Sequence, residues 1–311
     1  MNSAAMLCVV LLGVYALVSL LLSVLIQIAW FAGLKSVRQA SRDLLAQRML
    51  PSVGALLVTL TVVMPAFLIY EPARQTEEFG PLLVALGLIA LATVGDGIRR
   101  AWRAWRLTRE VLKNCSSSHS SPVPGLQVNI LDSSEPIVAM VGGWRPQLIA
   151  THSVIAECSR EELRQIIAHE AAHLSSGDNL KLLLLLVSPD ALAWLPTGRA
   201  IIERWRAAAE LEADERASGS DRLKRLELAS ALVKVARLSM RARDRLPPLS
   251  LSIAIDNVEG RVRQLLAPAP GAPRYIPVKA ALICAALIPV ISIPFLGRVQ
   301  QFVELLVAFG R

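Results

Sequence analysis

The sequence predicts a mainly α-helical, multi-pass membrane protein with an α+β domain between its membrane segments. Hydrophobic residues make up 54% of the 311 residues and charged residues only 19%, and the mean hydropathy is +0.49. This composition is more apolar than that of a soluble domain. Four long apolar runs can each cross a bilayer, and an HExxH motif lies between the third and the fourth.

The four apolar runs predict the membrane segments. They cover residues 4–34, 51–70, 79–98 and 276–297. A hydrocarbon core about 30 Å thick requires about 20 helical residues, and each run is long enough. The first run lacks a basic start and a clear cleavage site, so we expect a retained span rather than a signal peptide. The predicted domains are a membrane domain (1–98), a central domain (99–275), the fourth span and a short tail (298–311).

The charges between the runs predict the orientation. Lys and Arg dominate residues 35–50 and 99–113, whereas residues 71–80 hold three acids and one Arg. Because cytoplasmic loops carry an excess of Lys and Arg, we expect the N-terminus outside and the central domain in the cytoplasm of an inner-membrane protein. The net charge of +8 is explained by arginines near anionic lipid, and it does not indicate direct binding of nucleic acid.

The first part of the central domain predicts a helix, a linker and a sheet. Residues 99–114 form a basic amphipathic helix, which either lies at the bilayer surface or continues the third span. Residues 115–124 are rich in Ser and Pro and predict a linker. Short apolar runs then predict a small antiparallel sheet with a hairpin, over residues 127–131, 137–141 and 147–151.

The second part of the central domain predicts helices. Residues 180–195 are mostly apolar but are interrupted by Pro189 and Asp190. They form either a hairpin that dips into the membrane or a buried soluble hairpin. Amphipathic patterns predict further helices over residues 221–243 and 258–266.

The HExxH motif is His169-Glu170-Ala171-Ala172-His173. Positions four apart share one face of a helix, so both imidazoles can bind a single ion. A capping box at Ser159 to Glu162 and a stop at Gly177 predict that the motif lies within one helix. The alternative is a chance motif with two solvated histidines on a polar helix face.

A downstream helix supplies candidate carboxylates. Glu210 and Asp214 lie four apart and share a face, whereas Glu212 points away and is expected to be solvated. Glu210 can complete a His, His, Glu site that leaves one of the four zinc positions open. Asp214 is placed either to accept the outer N–H of a liganding imidazole or to pair at the surface with Arg216 or Arg206.

This set of residues predicts hydrolysis of peptide bonds at a zinc site. Glu170 adjoins the ligands without being one, and it is the expected general base. The other candidate functions are a non-hydrolytic membrane scaffold and a housekeeping protease of misfolded membrane proteins. Intact Glu170 and Glu210 favour hydrolysis over the scaffold.

Several separated segments resemble the BlaR/MecR-type antirepressor metallopeptidases. They occur in order between about residues 120 and 270, as VGGWRPQLIATHSVIAECSREELRQIIAHEAAHLSSGDNL, ELEADERA, LELASALVKVARL and VEGRVRQLLAPAP. The resemblance implies a gluzincin-like domain with one Zn²⁺ per chain. Its implied ligands are His169, His173 and Glu210, its general base is Glu170, and Asp214 supports an imidazole.

The resemblance also implies signal transduction through cleavage of a cytoplasmic protein, typically a transcriptional repressor. This sequence has Ala213 where that family usually has Cys, a change that we expect to be silent. The chain ends at Arg311, so we expect no penicillin-binding sensor domain and no direct sensing of β-lactams. A processing or quality-control role like that of the HtpX and CAAX-prenyl proteases stays open, since that group shares HExxH and a distal ExxxD pattern.

Overall fold

Two units are built from alternating stretches of the chain. Residues 1–101, 185–204 and 274–311 form the first unit, and residues 102–184 and 205–273 form the second. The computed structural model describes residues 3–33, 39–70, 80–120, 127–133, 135–143, 146–243, 258–267 and 295–308. The fourth predicted span lies almost entirely outside the described residues.

The first unit contains three helical stretches that are long and apolar enough to cross a membrane. Helix α1 covers Ser3–Ala32. The second stretch joins α2 (Ser41–Val58), a π-helical turn (Thr59–Val63) and α3 (Met64–Tyr70). The third is α4 (Pro81–Lys113). Helices of this composition indicate association with a membrane.

The second and third stretches extend beyond the predicted spans. Helix α2 begins ten residues before Pro51, the predicted start, and α4 continues past residue 98 through the basic segment. The predicted spans ended at charged residues, whereas backbone hydrogen bonds continue a helix through such residues. Residues 99–113 are therefore a continuation of the third helix, which was one of the two predicted arrangements.

An apolar core packs the helices of the first unit together. Val10, Phe67 and Leu83 from α1, α3 and α4 are almost fully buried in one cluster. A C-terminal helix, Leu296–Ala308, adds Val303 and Val307 to this cluster. The tail predicted over 298–311 is thus helical in its described part, and one face of it belongs to the core.

The segment predicted as a hairpin over 180–195 consists of most of one helix and a tight turn that leads to the next helix. Helix α7 (Asp178–Val187) ends before Pro189, a 3₁₀ turn covers Ala191–Ala193, and α8 begins at Pro196. The turn is bound by side chains of the first unit. Tyr15 donates its hydroxyl hydrogen to the carbonyl of Pro189 at 2.8 Å, and Arg48 donates to both carboxylate oxygens of Asp190 at 2.7 and 2.8 Å. The predicted entry of this segment into the membrane stays a prediction.

The second unit contains a mixed sheet of four strands, in the order β1-β2-β4-β3. The strands are β1 (Cys115–Ser120), β2 (Gln127–Leu131), β3 (Val138–Val141) and β4 (Gln147–Thr151). Strands β3 and β4 form the predicted antiparallel hairpin. The prediction of an antiparallel sheet is wrong for β2 and β4, which pair in parallel. Strand β1 was predicted as linker, but its backbone pairs with β2 in spite of its polar side chains.

Helices complete the second unit and position the candidate site. They are α5 (His152–Glu157), α6 (Arg160–Ser176), α9 (Arg222–Arg243) and α10 (Val258–Leu266), and α8 extends to Ser218. Ile167 of α6 packs on Ile130 and Leu148 of the sheet. Leu228 of α9 packs on Leu265 of α10. Burial of these apolar side chains fixes α6 and α10 within the second unit. The helices predicted over 221–243 and 258–266 are confirmed.

Candidate metal centre

Local sequence determines the helix that carries the HExxH motif. Ser159 caps α6, since its hydroxyl accepts from the N–H of Glu162 at 3.2 Å and its own N–H donates to the Glu162 carboxylate at 2.7 Å. Gly177 ends the helix in the left-handed conformation at φ 66°, which costs a glycine little. The predicted start and stop are therefore confirmed. His169 and His173 lie one turn apart between them.

His169, His173 and Glu210 come together in the second unit and could hold a metal ion. The Nε2 atoms of the two histidines lie 3.1 Å apart. Oε2 of Glu210 lies 3.4 Å from Nε2 of His169, and Oε1 lies 3.5 Å from Nε2 of His173. Ligands about 2.0–2.1 Å from a tetrahedral zinc ion are separated by about 3.3–3.4 Å. The three groups thus have the spacing of one face of such a site.

The outer nitrogens of the two rings face carboxylates. Nδ1 of His173 donates to Oδ2 of Asp178 at 2.8 Å. Nδ1 of His169 lies 2.9 Å from Oδ1 of Asp214, although that oxygen lies off the direction of a good hydrogen bond. With a proton on each Nδ1, the two Nε2 lone pairs face each other at 3.1 Å, and a proton or a cation between them would relieve their repulsion. This donor set fits zinc.

Asp214 is a buried acid, and the alternative of a surface ion pair is wrong. Its side chain is 4% exposed and accepts two hydrogen bonds from Arg261. Arg216 instead pairs with Glu212 at 3.2 Å. Glu212 was expected to be solvated, and its side chain is 32% exposed in this ion pair; it is not one of the three residues that could hold a metal.

Arg261 is a residue of the site that the sequence analysis missed. Its guanidinium binds both oxygens of Asp214 at 2.7 and 2.8 Å and lies 2.8 Å from Oε2 of Glu210. The residue comes from α10, in the segment VEGRVRQLLAPAP that contributed to the family resemblance. Nothing in its spacing from His169 could indicate a contact, because α10 reaches the site only through tertiary packing.

Asp178 and Asn179, at the start of α7, were also missed. Asp178 directly follows Gly177, so the stop signal of α6 was the only clue to its position. Asn179 donates to the carbonyl oxygens of Met140 and Gly142 at 2.9 and 2.8 Å. The N–H of Met140 donates to Oε2 of Glu170 at 2.8 Å. The edge strand β3 therefore holds the carboxylate of Glu170.

The electrostatic environment shifts the pKa values of the clustered groups. Burial alone would lower the pKa of His169, but Asp214 and Glu210 outweigh it and raise this pKa to about 9. Burial opposes ionisation of Glu210, yet His169 and Arg261 lower its pKa to about 2. Burial raises the pKa of Glu170 above its ordinary value. Among these clustered carboxylates, Glu170 is therefore the one whose raised pKa favours binding of a proton.

This arrangement can be compared with known proteins. Residues 101–237 match the model of Peptidase family M48. The M48-like region includes His169, His173 and Glu210, whereas Arg261 lies outside it. A match to M48 indicates a metallopeptidase, and the three apolar helices indicate that it is associated with a membrane. No curated protein matches the chain. The more specific likeness to the BlaR/MecR type stays a prediction.

Proposed function

We propose that this chain is a membrane-anchored zinc endopeptidase. One Zn²⁺ per chain is held by His169, His173 and Glu210. The observation that supports this proposal best is the spacing of the three ligand atoms, 3.1 to 3.5 Å, together with the carboxylates that face the outer ring nitrogens. When bound, zinc supplies a Lewis acid that polarises the scissile carbonyl and makes water a better nucleophile.

Glu170 is the general base in this proposal. Its carboxylate takes a proton from the attacking water and passes it to the leaving amine, so no covalent intermediate forms on the protein. Burial raises the pKa of Glu170, which makes the carboxylate a better proton acceptor. The hydrogen bond from the N–H of Met140 fixes one of its oxygens and leaves the other for water.

Asp214 and Asp178 orient the two imidazoles. A carboxylate at each Nδ1 keeps the proton there and turns Nε2 toward the metal. Such contacts also make Nε2 of each ring a stronger electron-pair donor to the metal. Neither acid takes part in the proton transfer itself.

The substrate is a protein or peptide that lies in the cytoplasm or close to the membrane. The basic segments 35–50 and 99–113 favour an inner-membrane protein with its N-terminus outside and the site in the cytoplasm. The resemblance to antirepressor peptidases favours a repressor as the regulated substrate. Comparison of full-length proteins in wild-type and Glu170→Gln cells by mass spectrometry tests this choice. One accumulating protein supports a regulatory substrate, and many accumulating proteins indicate quality control.

A direct test compares purified wild-type protein with Glu170→Gln. We expect Glu170→Gln to retain zinc and to lose about 10² to 10⁴ in peptide hydrolysis, because only proton transfer is removed. Glu161→Gln, an exposed position on the same helix, is the matched control and should hydrolyse like the wild type. If Glu170→Gln retains zinc and cleaves as fast as the wild type, the chain does not hydrolyse by this mechanism.

A further inference from the structure

We propose that Arg261 is a positioning residue that holds Glu210 as a one-oxygen ligand and so keeps a zinc position open for water. This inference rests on the proposed zinc site. It concerns a residue outside the M48-like region. It also explains why the positively charged guanidinium of Arg261 lies beside a site that is proposed to bind Zn²⁺.

The nitrogens of Arg261 all face groups of the site, and Nη2 also lies 3.4 Å from Nε2 of His169. Nε and Nη2 bind Oδ2 and Oδ1 of Asp214 at 2.8 and 2.7 Å. Nη1 lies 2.8 Å from Oε2 of Glu210. The side chain is only 11% exposed, and that of Asp214 is 4% exposed. A planar guanidinium that binds Asp214 with two parallel bonds has a fixed orientation, so it also fixes where Nη1 points.

The contact with Glu210 distinguishes the two oxygens of its carboxylate. Oε2 is shared with the guanidinium, whereas Oε1 faces Nε2 of His173 at 3.5 Å. A divalent ion bound to Oε2 would be repelled by the nearby guanidinium of Arg261. An ion bound to Oε1 would lie farther from this positive charge. Zinc should therefore bind through Oε1 alone. With two imidazoles and one oxygen, the fourth tetrahedral position stays open for water.

The geometry of the guanidinium, rather than its charge alone, is what this role requires. Lysine would keep the positive charge but could not bind Asp214 with two bonds and Glu210 with a third in one plane. Arg261→Lys therefore keeps the positive charge but removes the fixed geometry, so it tests the two effects separately. Arg263 lies two residues away on the same helix, and its side chain is 78% exposed and pairs with the exposed Glu259. Arg263→Lys is the matched control.

The first experiment measures zinc affinity of the full-length protein by competition with a chromophoric chelator. We expect Arg261→Lys and Arg261→Met to bind zinc about 10 to 100-fold more weakly, as is typical when a partner of a ligand is lost. Arg263→Lys should bind like the wild type. Unchanged affinity in Arg261→Lys, or tighter binding in Arg261→Met, would show that Arg261 acts through charge only and would overturn the proposal.

The second experiment begins with the wild-type protein, so its main result does not depend on the folding of a variant. X-ray absorption at the zinc edge of the wild-type protein should show four nitrogen or oxygen ligands in total at about 2.0–2.2 Å. In Arg261→Met, Glu210 is free to bind through both oxygens, so the total number of nitrogen and oxygen ligands should rise by about one. A two-oxygen carboxylate in the wild type would overturn the inference and leave the proposed function intact. Wild-type protein that binds no zinc would instead contradict the proposed function.

Discussion

Nδ1 of His173 lies 2.8 Å from Oδ2 of Asp178, an acid that follows the helix-ending Gly177 and is not part of the HExxH motif. Asparagine at this position can accept the same hydrogen bond. It has no negative charge, however, and so it cannot strengthen the binding of the metal by Nε2 of His173. We expect Asp178→Asn to weaken zinc binding about 10 to 100-fold. Competition with a chromophoric chelator measures this change.

Lys181 provides the control for Asp178. Its ammonium lies 3.0 Å from Oδ1 of Asp178 and its side chain is 32% exposed. Lys181→Met removes this ion pair but leaves the contact with His173, so zinc affinity should change little. An equal loss in Lys181→Met and Asp178→Asn would mean that Asp178 acts by stabilising α7 rather than through the imidazole.

Zinc binding should release protons in a way that follows the pKa of His169. This pKa is about 9 in the metal-free protein, so the ring carries an extra proton at pH 7 that coordination must displace. We expect about one proton to be released by His169 at pH 7, and less as the pH rises through about 9. Calorimetric titrations in buffers with different ionisation heats measure this number. Binding heats that are independent of the buffer at pH 7 would contradict the prediction.

The same shift makes the stability of the metal-free protein depend on pH. Because the pKa of His169 is raised above its usual 6.5, the charged ring stabilises the folded state fully below pH 6.5. This contribution is lost as the pH rises through about 9. The zinc-loaded protein should lack this loss, since its ring is already unprotonated at Nε2. Thermal midpoints of both forms between pH 6 and 10 provide the comparison.

The features that could be predicted from the sequence are those that depend on neighbouring residues. The cap at Ser159, the spacing of His169 and His173 and the stop at Gly177 lie within one helix, and Glu210 and Asp214 share a face of another. The parallel pairing of β2 with β4 and the approach of Arg261 could not be predicted. Both join parts of the chain through packing, and neither leaves a local pattern.

Glu162 connects the cap of the HExxH helix to α9. Its carboxylate accepts hydrogen bonds from Ser230 and Lys234 at 2.6 and 2.7 Å, as well as from the N–H of Ser159. Burial opposes ionisation of Glu162, but Lys234, Ser230 and Ser159 lower its pKa below the usual 4.5. We expect Glu162→Gln to lower the free energy of unfolding at pH 7 by about 1–3 kcal/mol.

The pH dependence identifies the charge of Glu162 as the cause. A lowered pKa contributes stability above pH 4.5, and this stability is lost as the pH falls through the folded value. The difference between wild type and Glu162→Gln should therefore shrink below pH 4.5. Thermal midpoints at pH 7 and at pH 4 measure it, with the exposed Glu161→Gln as control. A difference that is the same at both pH values would show that shape, and not charge, explains the loss.

Arg48 and Asp190 form a fully buried ion pair in the first unit, with both side chains 0% exposed. Asp190 also accepts from Ser188 at 2.7 Å, and Ser188 lies 2.6 Å from Ser52. Removal of one partner leaves a buried charge without compensation, so Asp190→Asn should cost about 3–5 kcal/mol. In the double variant Arg48→Met, Asp190→Leu no charge remains, and most of the loss should be recovered.

The measurement for the ion pair is the thermal midpoint in detergent. Arg199→Met is the control, because Arg199 lies on α8 in the same unit with an exposed side chain, and its loss should change the midpoint little. The ordering we expect is wild type, then the double variant, then Asp190→Asn as the least stable. If Asp190→Asn has the same thermal midpoint as the wild type, the position of the turn between α7 and α8 does not depend on Arg48. The buried pair would then contribute nothing that the packing of the helices does not already supply.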